Sequence, residues 1–191
     1  MEKVNCAPQT WIFPMPALLV GVMVDDKPNF MTVAWGGIAA KKPPALTVAI
    51  NKVRYTLKGI KDYNIFSVNI PSINLVKEVD YCGIFSGKNI DKAKLFTVFY
   101  GINKSIPLIE ECPINLECKV ITMVELESHI LVVAEICETH INSNCIENEK
   151  PVLKNINPLI YSAGIRLYNK LGSKVGIAYK IGRDLEQVDD G

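Results

Sequence analysis

The chain has 191 residues, with 21 lysines and arginines against 20 aspartates and glutamates and a formal net charge of +1. That length suits one domain, 1–191, with a substantial core. The balanced charge provides no basic field or run for nucleic acid or an anionic membrane surface, so neither partner is expected.

The longest apolar stretch near the N-terminus, Ala17 to Val24, is far too short to cross a bilayer and reads as a strand. The residues before it carry Glu2 and several prolines and do not resemble a secretory signal, so a cytoplasmic protein is expected. Phe30 to Trp35 and Leu46 to Ile50 are further short runs rich in Val, Leu, Met, Thr and Ala. They are bounded by Asp25-Asp26, Gly36-Gly37 and Pro43-Pro44, the punctuation of sequential strands, with Asp25-Asp26 as a hairpin turn.

Thr56 to Tyr63 sets Leu57 and Ile60 three apart, with Lys58, Lys61 and Asp62 on the other side, which predicts a short helix. Ile65 to Ile70 returns to strand. Ser72 is placed to cap a second helix from Asn74 to about Tyr81, carrying Leu75, Val76 and Val79, and a third short helix is expected at Asp91 to Leu95. Leu116, Cys118 and Val120 then alternate with Asn115, Glu117 and Lys119. The run continues to Leu126, and after a polar turn a second run spans Ile130 to Cys137. A long hairpin is expected, with its polar face exposed near its start. Asn142 to Lys150 and Arg183 to Gly191 read as a loop and a tail. Many strands with two or three short helices predict a mainly β fold, a closed or split barrel with helices over its open side.

The six cysteines include no Cys-x-x-Cys pair, which argues against a zinc knuckle, a thioredoxin-type redox pair or an iron–sulfur run. Free thiols and no metal are expected. Three polar segments instead carry the chemistry: Asn29 to Trp35, Asn51 to Thr56 and Val79 to Lys88. A planar cofactor with a phosphate tail needs a backbone edge for its ring, and an arginine, hydroxyls and a small-residue amide for its phosphate. Arg54 suits the phosphate bidentately, and Ser86, the Gly87 amide and Lys88 complete a shell. Gly87 permits close backbone approach, and Gly83 permits a sharp turn out of the preceding helix. Gly83 to Asn89 is not a nucleotide-triphosphatase loop: it has one residue too few between its glycines, and Asn89 stands where a magnesium-binding hydroxyl belongs. Nor does any Gly-x-Gly-x-x-Gly follow a strand, so a Rossmann dinucleotide site is unsupported.

In order, the chain carries Phe13-Pro14, Met31-Thr32-Val33-Ala34-Trp35, Pro43-Pro44, Arg54-Tyr55-Thr56 and Val68-Asn69-Ile70-Pro71. Val79-Asp80-Tyr81-Cys82-Gly83, Ser86-Gly87-Lys88, Asp91-Lys92, Glu111-Cys112, Leu116-Glu117-Cys118, His129 and Pro158-Leu159 with Tyr161 follow. This ordered set resembles the flavin reductase-like family of FMN-binding split barrels, particularly its flavoredoxin-like branch. The resemblance implies FMN in a cleft at a homodimer interface. Thr32, Val33, Ala34 and Trp35 would line the isoalloxazine ring, Asn51, Arg54 and Thr56 would hold the ribityl chain and phosphate, and Ser86, Gly87 and Lys88 would close over the phosphate. His129 would lie near the flavin or its partner.

The implied activity is hydride transfer from NADH or NADPH to FMN, with electrons passed to a second flavin, a ferric complex or a protein acceptor. Flavoredoxin-type electron transfer, fed by a protein partner, and a non-catalytic flavin or haem module are the alternatives. Flavin carries such chemistry, so no side-chain nucleophile is required. Two features depart from the family: many members have arginine where this chain has Lys88, and a hydroxyl residue in the stretch occupied by Ala39-Ala40-Lys41. Lysine neutralises phosphate without arginine's planar fork. Several residues also have ordinary readings: Trp35 as core, His129 as a turn residue, Cys82 as packing and Asp80 as a helix-end hydrogen-bonding group. His140 is a weaker candidate than His129.

Overall fold

The computed structural model describes residues 1–185. The first half contains strands β1 (Met15–Pro16), β2 (Leu18–Val24), β3 (Lys27–Val33), β4 (Gly36–Lys41) and β5 (Pro44–Asn51), then helix α1 (Thr56–Tyr63), β6 (Ile65–Ile70) and α2 (Val76–Ile84). The second half contains β7 (Val98–Tyr100), β8 (Pro107–Ile109), β9 (Ile114–Glu125), β10 (His129–Ile141), β11 (Ile146–Glu147) and β12 (Lys150–Pro151). Helix α3 (Leu153–Ile156), β13 (Ile160–Ser162) and β14 (Leu167–Asn169) follow.

Seven strands form one antiparallel sheet in the order β3-β2-β6-β9-β10-β5-β4. Met31 and Val33 of β3 share a core with Leu46, Val48 and Ile50 of β5, from near the other end of that order. The sheet is therefore rolled into a barrel that stays split between these strands, the mainly β architecture expected from the sequence. Leu57 and Ile60 of α1 enter the same core. Gly59 lets α1 lie directly on β2, since a Cβ there would stand 2.2 Å from the Met23 carbonyl oxygen.

The two faces of β2 serve two cores. Leu18, Val20, Val22 and Val24 point into the barrel, while Leu19 joins Ala17, Phe30, Val79, Cys82, Ile109 and Leu159 in a second core outside it. A strand buried on both faces reads as a continuous apolar run, which is why Ala17 to Val24 lacks alternation.

Helix α1 occupies the residues expected of it. Asp25 and Asp26 both have positive φ (48° and 60°), the geometry of a type I′ hairpin turn, so β3 starts directly after them and ends before Ala34 and Trp35. The sequence reading missed β4, because this edge strand is mostly exposed and shows no half-buried alternation. Ser72 Oγ accepts from the Asn74 amide at 3.4 Å and caps a 3₁₀ turn, Ile73–Leu75, that leads into α2. Gly83 was expected to turn the chain out of the helix, but α2 continues through it to Ile84. Asp91 caps the 3₁₀ turn Lys92–Leu95, where a short helix was expected. The 142–150 loop includes a 3₁₀ turn, Ser143–Cys145, and leads into the β11–β12 hairpin. Of the expected tail, Ile181–Asp184 forms a 3₁₀ turn, and residues 186–191 lie outside the described residues.

The long hairpin β9–β10 is present, but its exposure is reversed. Asn115 and Glu117, expected on the solvent face, are buried, and the far end of β9 is exposed. Their partners across the β6–β9 ladder are Asn69 and Ser67, also buried. Asn69 Nδ2 donates to the Leu19 carbonyl at 2.9 Å, and its Oδ1 accepts from the Ile109 amide (3.1 Å) and Asn115 Nδ2 (2.8 Å). Ser67 Oγ donates to the Pro107 carbonyl at 2.6 Å. Glu117 accepts from the amides of Ile102 and Asn103, each at 2.8 Å, and lies 2.7 Å from His140 Nε2. Polar residues thus staple the β7–β8 hairpin onto the barrel, and their hydrogen bonds offset the cost of burial.

Burial works to raise the Glu117 carboxyl, but the His140 ring and the two amides together outweigh it and hold the group below its usual value of 4.5. Such a carboxylate stabilises the fold above the unfolded-state value and loses that contribution as pH falls through the folded value. Glu117→Gln should therefore be less stable than wild type by about 1–3 kcal/mol at neutral pH. In paired urea titrations the gap should narrow below the ordinary carboxylate value of 4.5; a gap independent of pH would show that packing alone holds this residue.

Candidate functional site

Where β3 leaves the sheet, its continuation crosses toward β5, and the Trp35 carbonyl accepts from the Ala49 amide at 2.8 Å. This crossing and the β9–β10 turn enclose a cavity of about 210 Å³ lined by Thr32, Val33, Ala34, Trp35, Asn51, Arg54 and His129. These seven were singled out from the sequence; Met31, Ala49 and Ile50 complete the lining. The Trp35 indole, 39% exposed, stacks on His129 with centroids 4.8 Å apart and 29° between planes, so it is a wall of this cleft and not core. His129 Nδ1 lies 2.8 Å from Ser128 Oγ, which fixes the ring. The Thr32 hydroxyl donates to the Val79 carbonyl, so it ties β3 to α2 and leaves the main chain of this stretch to face the cavity.

Asn51 shapes the next segment, its Oδ1 accepting from the Val53 amide at 3.1 Å. The turn delivers Arg54 beside the cavity and starts α1 at Thr56. Arg54 Nη1 donates to the Gly83 carbonyl at 3.2 Å, which spends one of its five N–H groups. Gly83 therefore contributes its helical carbonyl.

Arg54 also lines a smaller adjoining cavity of about 90 Å³, with Tyr55, Thr56, Phe85, Ser86, Gly87 and Lys92. Thr56 Oγ1 accepts from Asn29 Nδ2 at 2.7 Å and retains its own proton to donate. Ser86 Oγ accepts from the Lys88 amide at 3.3 Å. Gly87 is forced: a Cβ there would stand 1.8 Å from Asn29 Oδ1, which is itself buried without a hydrogen-bond partner.

Lys88 does not line this small cavity. It lies in a separate cleft beyond Gly87, with Asn29, Lys27 and Asp91. The cation facing Arg54 is Lys92, only 3% exposed, whose Nζ donates to the Cys82 and Phe85 carbonyls at 3.2 and 3.1 Å. Burial holds its ammonium below the usual lysine value; Cys82 acts upward and Arg54 adds to the lowering. The sequence reading missed this role because a lysine after a capping Asp91 looks like an ordinary solvated side chain. Its adjacency to the Ser86-Gly87 turn was the available signal.

Other candidates fall elsewhere. His140 is paired with Glu117 in the second layer, with its ring 5.9 Å from Phe99. Asp80 accepts from the distant Tyr168 hydroxyl at 3.2 Å instead of capping its own helix. Cys82 packs in the second core, and burial pushes its thiol up to about 11. All six cysteines are free, and no cluster of three or more metal-ligating side chains occurs among the described residues. No helix among them is long and apolar enough to cross a membrane.

The arrangement suits FMN on three counts. The small cavity collects two cations, with no carboxylate among the described residues lining it. The glycine cradle tolerates no side chain. The larger cavity presents backbone and a stacked aromatic pair, as a planar ring requires.

A family model described as the flavin reductase-like domain matches residues 11–166. The chain belongs to the flavin reductase-like family. Its likeness is to the flavoredoxin branch. It is 38% identical to flavoredoxin from Methanosarcina acetivorans, with a TM-score of 0.93 over 96% of this chain and 98% of that one. Flavoredoxin of Desulfovibrio vulgaris is 31% identical, with a TM-score of 0.88 over 95% and 100% of the two chains. An FMN-binding protein from Thermus thermophilus is 19% identical, with a TM-score of 0.79 over 93% of this chain and 98% of that one, a likeness of fold.

Proposed function

We propose that this flavin reductase-like protein binds FMN, with the phosphate between Arg54 and Lys92 and the ring along Thr32 to Trp35. The observation that carries this reading is the pairing of two cations at the Ser86-Gly87 turn and the start of α1. Like charges held this close favour a dianion between them, and the positive end of α1 adds to the attraction. Thr56 and the Gly87 amide supply further donors to phosphate oxygens. Asn51 sets the turn along which the ribityl chain would run. Backbone groups of Val33 and Ala34 would meet the polar edge of the ring, and the Trp35–His129 stack would shield one side from water. Bound flavin would supply hydride and single-electron chemistry; the protein's part is to hold the ring and bias its charge.

The reading favoured for activity is NAD(P)H-dependent reduction of a flavin or ferric acceptor. The likeness to two flavoredoxins favours a second reading, an electron carrier reduced by a protein partner. Oxidation of NADH and NADPH by FMN-loaded protein, with and without free flavin and ferric acceptors, separates the two: turnover with either nucleotide alone supports a reductase. A protein that takes no electrons from either nucleotide is a carrier.

Titration should give about one FMN per chain. Arg54→Ala and Lys92→Met should each weaken FMN about ten- to a hundredfold, the loss of a charge-assisted bond of roughly 1.5–3 kcal/mol, while riboflavin binding stays near wild type. Lys88→Ala should have the smaller effect. Equal loss of FMN and riboflavin in the first two variants would make those residues structural, and a protein that binds no FMN would end the reading.

We also infer a homodimer, supported by apolar side chains left exposed on β4 (Ile38, 76%), on β9 (Ile121, 55%) and in the turn after β9 (Leu126, 51%). A second copy would cover them and complete the cleft, linking assembly to cofactor binding. Sedimentation over a dilution series should show a dimer whose dissociation FMN suppresses. A monomer with undiminished FMN affinity would place the whole site in one chain.

A further inference from the structure

In two stretches of the described chain, 1–14 and 169–183, every residue is exposed. The second is not polar. It carries Leu171, Val175, Ile177, Tyr179 and Ile181, with Val175 93% and Tyr179 94% exposed. Among the described residues its backbone hydrogen bonds are local: the Ile177 carbonyl accepts from the Lys180 and Ile181 amides at 3.2 and 3.1 Å, and the Lys180 carbonyl accepts from the Arg183 amide at 3.0 Å. Apolar side chains held this far from their own core gain burial only from another surface.

The root of this arm is fixed. Asn169 Nδ2, at the end of β14, donates to Ser162 Oγ at 2.8 Å, the Tyr168 hydroxyl donates to Asp80 on α2 at 3.2 Å, and Tyr161 and Tyr168 pack on the second core. The arm therefore departs beside the split, where Tyr168 shares a cavity wall with Gly83. The mouth of that split is apolar and uncovered. Trp35 borders the ring cavity, Val53 and Phe85 border the smaller one, and all three are exposed, Val53 to 86%. Ile84, next to Phe85, is exposed as well. The arm does not cover this rim on its own chain, since none of its residues is buried.

Surface area identifies the occupant. The chain has an accessible surface of 12793 Å², against about 9,100 Å² for a compact monomer of its mass. Residues 186–191 account for at most about 900 Å² of the difference, whatever their conformation. The remainder matches what each chain of a large obligate dimer buries. We propose that residues 170–183 form an exchanged arm, which crosses onto a second copy of this chain and lays Val175, Ile177 and Tyr179 over the rim formed there by Trp35, Val53, Ile84 and Phe85. A segment of this length spans up to about 45 Å, enough to cross such an interface. A two-fold pair makes the exchange reciprocal, so each cleft is closed by the other chain. The proposal rests on the homodimer reading and names the segment that makes the dimer.

The test is sedimentation equilibrium of the full chain, wild type against the double variant Val175→Glu, Ile177→Glu, paired with crosslinking from a photoreactive benzoylphenylalanine placed at position 179. Neither substituted side chain touches the core of its own chain, so the variant should match wild type by circular dichroism. Its dimer Kd should rise about tenfold or more. Irradiation should give a covalent dimer whose crosslinked peptides contain Trp35, Val53 or Ile84 and Phe85. A variant that dimerises as tightly as wild type, or crosslinks confined to the arm's own chain, overturns the arm and leaves the homodimer standing. A wild-type protein that stays monomeric at every concentration removes both. Monomeric wild type that cosediments with phosphatidylserine vesicles, when the variant does not, gives the arm to a membrane and also overturns the proposal.

Discussion

An edge strand has one row of peptide groups that no neighbouring strand can satisfy. In this sheet β3 is such a strand, paired with β2 alone. It is also packed on both faces, with Met31 and Val33 in the barrel core and Phe30 in the outer core, so it cannot turn its open edge away. Helix α2 is tied to it by a side chain, the Thr32 hydroxyl donating to the Val79 carbonyl, which leaves the peptide groups of that edge unpaired by the helix. Beyond Val33 the chain crosses to β5, and the edge opens into the cleft. The split in the barrel and the candidate ring site therefore have one origin: a strand held from both sides whose edge faces a gap.

The same geometry gathers charge. The turn after β5 carries Arg54 to the split, and Lys92 reaches back from its 3₁₀ turn to the carbonyls at the end of α2. Each cation is tied by carbonyl oxygens of α2 or of the residue that follows it, so the positive charge is held in place before any ligand arrives. Preorganised donors of this kind lower the cost of ordering on binding. A buried ammonium near a guanidinium is unfavourable alone: burial first, with a smaller contribution from the Arg54 charge, holds the Lys92 ammonium below the usual lysine value. An anion between them reverses the sign of that interaction.

Local patterns were legible wherever a residue type has one dominant use. Asp25-Asp26 made its turn, Leu57 and Ile60 set the buried side of α1, and the segments around Thr32, Arg54 and Ser86 meet at one split. Three features were not legible. Edge strand β4 has no buried face and hence no period. Asn115 and Glu117 looked solvent-facing because polarity normally marks exposure, yet the β7–β8 hairpin covers them and their hydrogen bonds are made internally. Gly83 looked like a helix terminator, although it lies within α2 and offers its carbonyl to Arg54.

The sequence by itself determined the strand-rich class, the order of the polar segments and their likeness to the flavin reductase-like family, because these rest on short-range periodicity and on residues a few positions apart. Tertiary structure alone decided which lysine stands opposite Arg54. Lys88 and Lys92 are four residues apart and chemically identical, and only the path of the chain after α2 sends one to a separate cleft and buries the other. It also brought Trp11, from near the start of the chain, against Gly164 in the turn of the β13–β14 hairpin. Contacts of that span depend on how the sheet closes, and no local pattern records it.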